Sequence, residues 1–242
     1  MSWRETYSDR FYRSRPAWVD GTTEFHNLCA STIRPGGARI LEIGAGPSNP
    51  TSRYLSRLGD LCGVDPDPIV VSNDALCQAA VVPPASRLPF RDESVDFCVS
   101  NYVVEHVVDP VQHLAEVFRV LAPGGAYVFR TPNRFHYVSL VSAATPHWFH
   151  RLVANRLRAL PSGGHDPYPI VYLLNTRRAV ARNAARAGLV VETLRLVEKE
   201  PSYGMCARPL FLALTAYERI VNSTDRLSFL RANIFGVLRK RA

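Results

Sequence analysis

The chain has 242 residues, of which 47% are hydrophobic, 21% charged and 10% aromatic. These are the proportions of an ordinary globular protein and exclude wholesale disorder and a fibrous repeat. The formal net charge of +8 is uneven: residues 1–129 hold 11 Arg against 15 acids, a balance of −4, and residues 130–242 hold 16 Arg and 2 Lys against 6 acids, a balance of +12. Such a split predicts an anionic partner (nucleic acid, a phosphorylated substrate or a membrane surface) or else a solvated arginine-rich face.

In chain order, the apolar run Ala38–Ile43 enters glycine-rich sequence and predicts a first strand. Residues 60–64, ending at Asp65-Pro66, predict a second, residues 95–100 a third, and residues 126–129, introduced by Pro123-Gly124-Gly125, a fourth. Residues 51–58 are helix-like. In residues 111–121, Leu114, Val117, Phe118 and Leu121 make one apolar stripe, with Asp109 as N-cap and Pro110 in the first turn. Strands alternating with helices of this length mean βαβ units and a parallel sheet.

The rhythm changes after Thr131-Pro132-Asn133. Residues 134–174 gather aromatic, His and Arg side chains and end in turn-rich sequence over 161–167. Asn175 is then expected to cap a helix ended by Gly188, with Leu189–Val197 a strand. Leu210, Leu214, Tyr217 and Val221 mark another helix, and residues 233–238 a closing strand. One domain over 1–242 is expected: a core over 38–133, a mainly helical inserted cap over 134–174, and the rest of the sheet with C-terminal helices over 175–242. The cysteines, Cys29, Cys62, Cys77, Cys98 and Cys206, form no C-x-x-C pair and fit neither a disulfide framework nor a zinc site. The polar start Met1-Ser2-Trp3-Arg4-Glu5 is not that of a signal peptide, and no stretch nears 18 apolar residues, so a cytoplasmic location is expected.

The first strand breaks on Gly44-Ala45-Gly46, where glycine permits a sharp turn and close approach to a ligand. Asp65 ends the next strand 19 residues beyond Gly46, where a carboxylate can accept from both hydroxyls of a ribose. Asn49 replaces the third glycine of a G-x-G-x-x-G loop, which loosens the fit to a pyrophosphate-binding turn.

These residues, with Leu88-Pro89-Phe90, Ser94-Val95-Asp96-Phe97, Glu105-His106-Val107, Asp109-Pro110 and residues 116–125, resemble the class I S-adenosylmethionine (SAM) dependent methyltransferases. The nearest group is the UbiE-like, or methyltransferase type 11, set of small-molecule enzymes, and the likeness covers about 38–133. It implies a Rossmann-like, doubly wound α/β sheet of seven strands, mostly parallel with an antiparallel last strand. It also implies SAM as cofactor, with Gly44, Ala45 and Gly46 along its methionine part and Glu42 orienting the amino group through water. Asp65 would hold the ribose hydroxyls, Pro66 would lie beside adenine, and Ser86, Arg87 and Leu88 would edge it. Asn101 and Tyr102 would flank the sulfonium and the acceptor entry. Relatives often carry an Asp four residues before the Leu of Leu-Pro-Phe; here Pro84 stands there, so backbone groups and packing are expected to hold the adenine.

Methyl transfer needs in-line alignment and exclusion of water, and a hydroxyl acceptor gains from a general base. The candidates are His106, His136 and His165, the last followed by Asp166. No Asn/Asp-Pro-Pro-Tyr follows residues 95–100 and no Pro-Cys pair exists, which argues against amino- and cytosine C5-methylation of bases. Neither Lys199 nor Lys240 has the Tyr four residues earlier that a short-chain dehydrogenase needs. Over 134–174, Trp148, Phe149, Tyr168 and Tyr172 are candidates for an acceptor wall, and Arg134, Arg151, Arg156 and Arg158 for a grip on phosphate or carboxylate. The expected acceptor is a small molecule or glycan, anionic or lipid-linked, methylated at oxygen. Residues 210–214 with Arg239-Lys240-Arg241 also admit a peripheral membrane contact. The rivals are a nucleic-acid methyltransferase using the basic half and a non-catalytic SAM-binding protein.

Overall fold

A computed structural model describes residues 2–33, 36–144 and 168–242. The seven strands are β1 Ala38–Ile43, β2 Gly59–Asp65, β3 Gln78–Val81, β4 Val95–Asn101, β5 Leu121–Pro132, β6 Leu189–Val197 and β7 Asn233–Lys240. They form one sheet in the order β3-β2-β1-β4-β5-β7-β6. The sheet is mostly parallel with its last strand antiparallel, as expected. The helices are α1 Trp3–Ser8, α2 Gly21–Thr32, α3 Pro50–Leu55, α4 Pro110–Val120, α5 Tyr137–Ala144, α6 Arg177–Arg186 and α7 Arg208–Asn222.

By Cα proximity the chain divides into two units, one made of Met1–Glu24, Asn133–Tyr168 and Leu196–Asn233, the other of Phe25–Pro132, Pro169–Arg195 and Ile234–Ala242. The second unit holds the centre of the sheet. Ile40, Leu41, Cys98, Val99, Val128 and Phe129 are all buried there, because central parallel strands are covered on both faces and read as near-continuous apolar runs. Strand β1 lies between β2 and β4, with Ile43 opposite Val64 and Leu41 opposite Cys98. The chain therefore reverses its direction of winding there, and the carboxyl ends of these strands border a crevice of the kind that takes ligands.

In the first unit, Trp3, Tyr7, Phe11 and Tyr12 place their rings 5.8–6.3 Å from that of Phe211. The Tyr12 hydroxyl reaches Thr215 Oγ1 at 3.2 Å. These partners turn α7 so that Phe211, Thr215, Glu218 and Val221 are its buried residues. The stripe expected on α7 shares only Val221 with that face, since a buried tyrosine hydroxyl rewards a polar neighbour that apolar periodicity overlooks.

Other boundaries also move. The helix expected over 51–58 is the shorter α3, and Leu121 begins β5 instead of ending α4. Thr176 caps α6 through Ala179 N–H. Asn175, expected in that role, is buried and donates to Thr131 Oγ1 and the Pro132 carbonyl, both at 2.7 Å. Gly188, at φ +80°, follows α6 as expected.

Candidate active site

Strand β1 delivers a glycine turn to the crevice. Gly44 sits at φ +75° and Gly46 at φ +53°, the left-handed region that costs an L side chain most. A Cβ on Gly44 would also lie 2.2 Å from Val103 Cγ2. The turn is locked from β2: Gly44 N–H donates to the Val64 carbonyl at 2.7 Å and Gly46 N–H to Asp65 Oδ2 at 2.9 Å. Asp65 Oδ1 accepts from Asp67 N–H at 2.8 Å. The carboxylate is thus fixed by two backbone donors, with lone pairs remaining for vicinal hydroxyls.

Asn49, in the place of the missing glycine, has a positive role. Its Oδ1 accepts from the N–H groups of Thr51 and Ser52 and caps α3, while its Nδ2 donates to the Ala45 carbonyl at 2.8 Å. One side chain therefore joins turn and helix. Ser52 Oγ donates at 2.7 Å to Glu42 Oε2, and Asn73 Nδ2 donates to Ser52 Oγ at 3.1 Å. Glu42 is only 2% exposed. Burial, helped by the charge of Asp65, pushes its carboxyl up to about 7 against the pull of the Ser52 hydrogen bond.

A second polar line starts at the end of β4. Asn101 Nδ2 donates to Thr51 Oγ1 at 3.0 Å, and Asn101 Oδ1 accepts from Arg130 Nε at 2.8 Å. Thr51 Oγ1 lies 3.3 Å from His26 Nε2, and the His26 ring stacks on Tyr54 at 4.3 Å. Arg130, at the end of β5, is buried, with its guanidinium 4.5 Å from the Tyr102 ring and 5.2 Å from that of Phe25. Tyr102 is exposed and held at φ +59°, rare for a non-glycine residue and a mark of sites where the surroundings impose the backbone.

A family model described as a methyltransferase domain matches residues 41–129, from the middle of β1 to the middle of β5. An uncharacterised methyltransferase of Mycobacterium sp. (strain JLS) is 38% identical over 102 residues, covering 41% of this chain and 40% of the relative. The chain thus spans well under two thirds of the curated relatives it matches. Among solved structures, a Haloferax volcanii methyltransferase in complex with the Trm112 activator superposes with TM-score 0.57 at 17% identity, over 99% of this chain and 94% of the other. An S-adenosylmethionine dependent methyltransferase of Mesorhizobium loti gives 0.56 at 18%, over 91% and 99%. At these identities the likeness is one of fold.

The matched region gathers Glu42, Gly44, Ala45, Gly46 and Asp65 around one turn, and Asn101 closes the α3 side through Thr51. Pro66 is half-buried beside Asp65. Ser86 and Arg87 are exposed, and Leu88 is buried, with its N–H given to Glu116 Oε2 at 2.9 Å and its carbonyl accepting from Arg119 Nη2 at 3.0 Å. With its backbone so committed, Leu88 offers a ligand apolar surface only.

The three histidines differ. His106 follows β4 and its Nδ1 lies 3.0 Å from the Pro169 carbonyl, which selects the tautomer protonated on Nδ1, with the lone pair on Nε2. His136 belongs to the first unit, buried 3.5 Å from Glu198, and burial lowers it to about 4. His165 lies outside the described residues, as do Asp166, Trp148, Phe149, Arg151, Arg156 and Arg158. Arg134 and Tyr168 are exposed in the first unit and Tyr172 half-buried in the second.

Sequence reading missed Thr51, Arg130, His26, Ser52 and Asn73. Asn49-Pro50 carried a readable signal, a cap followed by proline at the first turn, and Arg130 another, a charge at the end of an apolar strand. His26, on a helix outside the family pattern, had none.

Proposed function

We propose that this chain is a SAM-dependent methyltransferase acting on a small-molecule or glycan-type acceptor, anionic or lipid-linked, at oxygen. The observation that carries the reading is the Asp65 carboxylate, fixed by Gly46 and Asp67 N–H beside a left-handed glycine turn. The donor set fits the cofactor: Asp65 suits two ribose hydroxyls, buried Glu42 suits an ammonium group, and the turn leaves open space where a Cβ on Gly46 would stand. Gly44, Ala45 and Gly46 would lie along the methionine part, and Pro66 and Leu88 would offer packing to adenine, with Ser86 and Arg87 at its edge. When bound, SAM supplies a methyl group activated on a cationic sulfur.

The chain's own part is to bind, orient and exclude water. Asn101 and Tyr102 would border the acceptor entry, with Asn101 held by Thr51 and Arg130. Arg130, backed by Tyr102 and Phe25, and the positive balance of residues 130–242 favour an anionic acceptor. His106, on the rim with its lone pair on Nε2, is the base we favour for taking the acceptor's proton.

Calorimetry with SAM tests the cofactor site. Asp65→Ala should weaken binding by at least about tenfold, the loss of one or two hydrogen bonds to a charged group; equal binding by both proteins would remove the assignment. Labelled methyl from SAM, offered with cell extract, then reads the acceptor. Methyl transfer unaffected by Arg151→Ala plus Arg156→Ala would sink the anionic assignment.

A further inference from the structure

Among the described residues, one pair of cysteine sulfurs lies within contact distance. Cys62 Sγ, on β2, and Cys77 Sγ, just before β3, are 3.5 Å apart and 15 residues apart in sequence. The backbone holds them there: Cys77 N–H donates to the Leu61 carbonyl at 2.8 Å, and Cys62 is paired with Gln78. Cys77 is exposed and Cys62 half-buried. We propose that Cys62 and Cys77 form an oxidation site, closed to an intramolecular disulfide by a hydroperoxide.

The Cys77 thiolate attacks one oxygen of the peroxide, the O–O bond breaks, and Cys77 becomes a sulfenic acid as water or alcohol leaves. The Cys62 sulfur then attacks Cys77 Sγ; the S–S bond forms, the S–O bond breaks, and hydroxide leaves with the Cys62 proton as water. Two thiols lose two electrons and two protons, and the peroxide is reduced. Exposure makes Cys77 the first target. Burial, with Cys77 and Asp60 nearby, holds the Cys62 thiol up at about 11, so Cys62 is mostly protonated at neutral pH and is the poorer first target for the peroxide. Cys29 and Cys98 are fully buried, and Cys206 has no thiol within contact among the described residues. The bond would tie the lead into β3 to β2 three residues before Asp65, along a register that pairs Asp65 with Val81.

The full chain should be treated with hydrogen peroxide, quenched by alkylation and digested without reductant. A Cys62–Cys77 linked peptide, lighter by two hydrogens and lost on adding dithiothreitol, is expected from wild type and from Cys206→Ser. Cys77→Ser should give no link. Cys62→Ser should leave a Cys77 sulfenic acid that dimedone traps. Alkylating Cys77 in wild type before peroxide should abolish the link without any substitution. A disulfide mapping elsewhere, a Cys77–Cys77 bond between two chains, or over-oxidised Cys77 beside a free Cys62 thiol would each overturn the proposal.

Discussion

Glu42 shows how burial converts a carboxylate into a pH-dependent contact. Its carboxyl is raised to about 7 because burial keeps it from water, so below that pH it is mostly neutral and attracts an ammonium group weakly. SAM affinity should therefore climb by about tenfold between pH 6 and pH 8, following the carboxylate fraction. Glu42→Gln should bind weakly with a flat profile, and calorimetry across that range separates the two. The same shift bears on stability with the opposite sign. The folded state prefers neutral Glu42, so its contribution is full below the ordinary carboxylate value and is lost progressively as pH rises from there through about 7. His106 makes a different demand. If it takes the acceptor's proton, His106→Asn should lower kcat by about a hundredfold or more while leaving SAM affinity unchanged, a split that single-turnover kinetics and calorimetry resolve together. Equal rates would remove it as base.

Helix α3 has only six residues, too few to persist alone, and Asn49 is what starts it. Asn49→Ala should cost about 1 kcal/mol from the lost cap. It should also weaken SAM binding, because the same side chain holds the Ala45 carbonyl of the turn; urea unfolding and calorimetry read the two effects. The strands that sequence revealed best are those whose surroundings repeat along their length. Strands β1, β2, β4 and β5 were legible because burial on both faces leaves apolar runs. Strand β3 carries a mostly exposed pattern in four residues and left no such trace. Thr176 and Asn175 are both capping types, and only the pull of Thr131 and Pro132 on Asn175 decides between them. In the site, the glycine turn, Glu42 and Asp65 were readable from local spacing. Thr51, Arg130 and His26 meet Asn101 only through tertiary contacts, which spacing does not encode.

At the scale of the whole molecule, the charge split has at least two components. Arg178, Arg182 and Arg186 stand exposed on α6, an ordinary solvated surface, whereas Arg130 is buried in the site. Replacing the three α6 arginines by Ala should leave SAM affinity and methyl transfer within about twofold, since surface substitutions away from the site's contacts have small effects. A nucleic-acid acceptor would instead show steep loss with salt and with those arginines. No helix among the described residues is long and apolar enough to cross a membrane. The chain leaves β5 at Pro132, and Asn175 returns to donate to that residue's carbonyl and to Thr131 Oγ1, while Val171 and Tyr172 N–H both donate to the Glu105 carbonyl. Exit and re-entry are therefore fastened to the same sheet rim. If, as proposed, the stretch between these fastenings chooses the acceptor, that preference could diversify by exchange of one segment spliced in at the rim while the cofactor turn is kept.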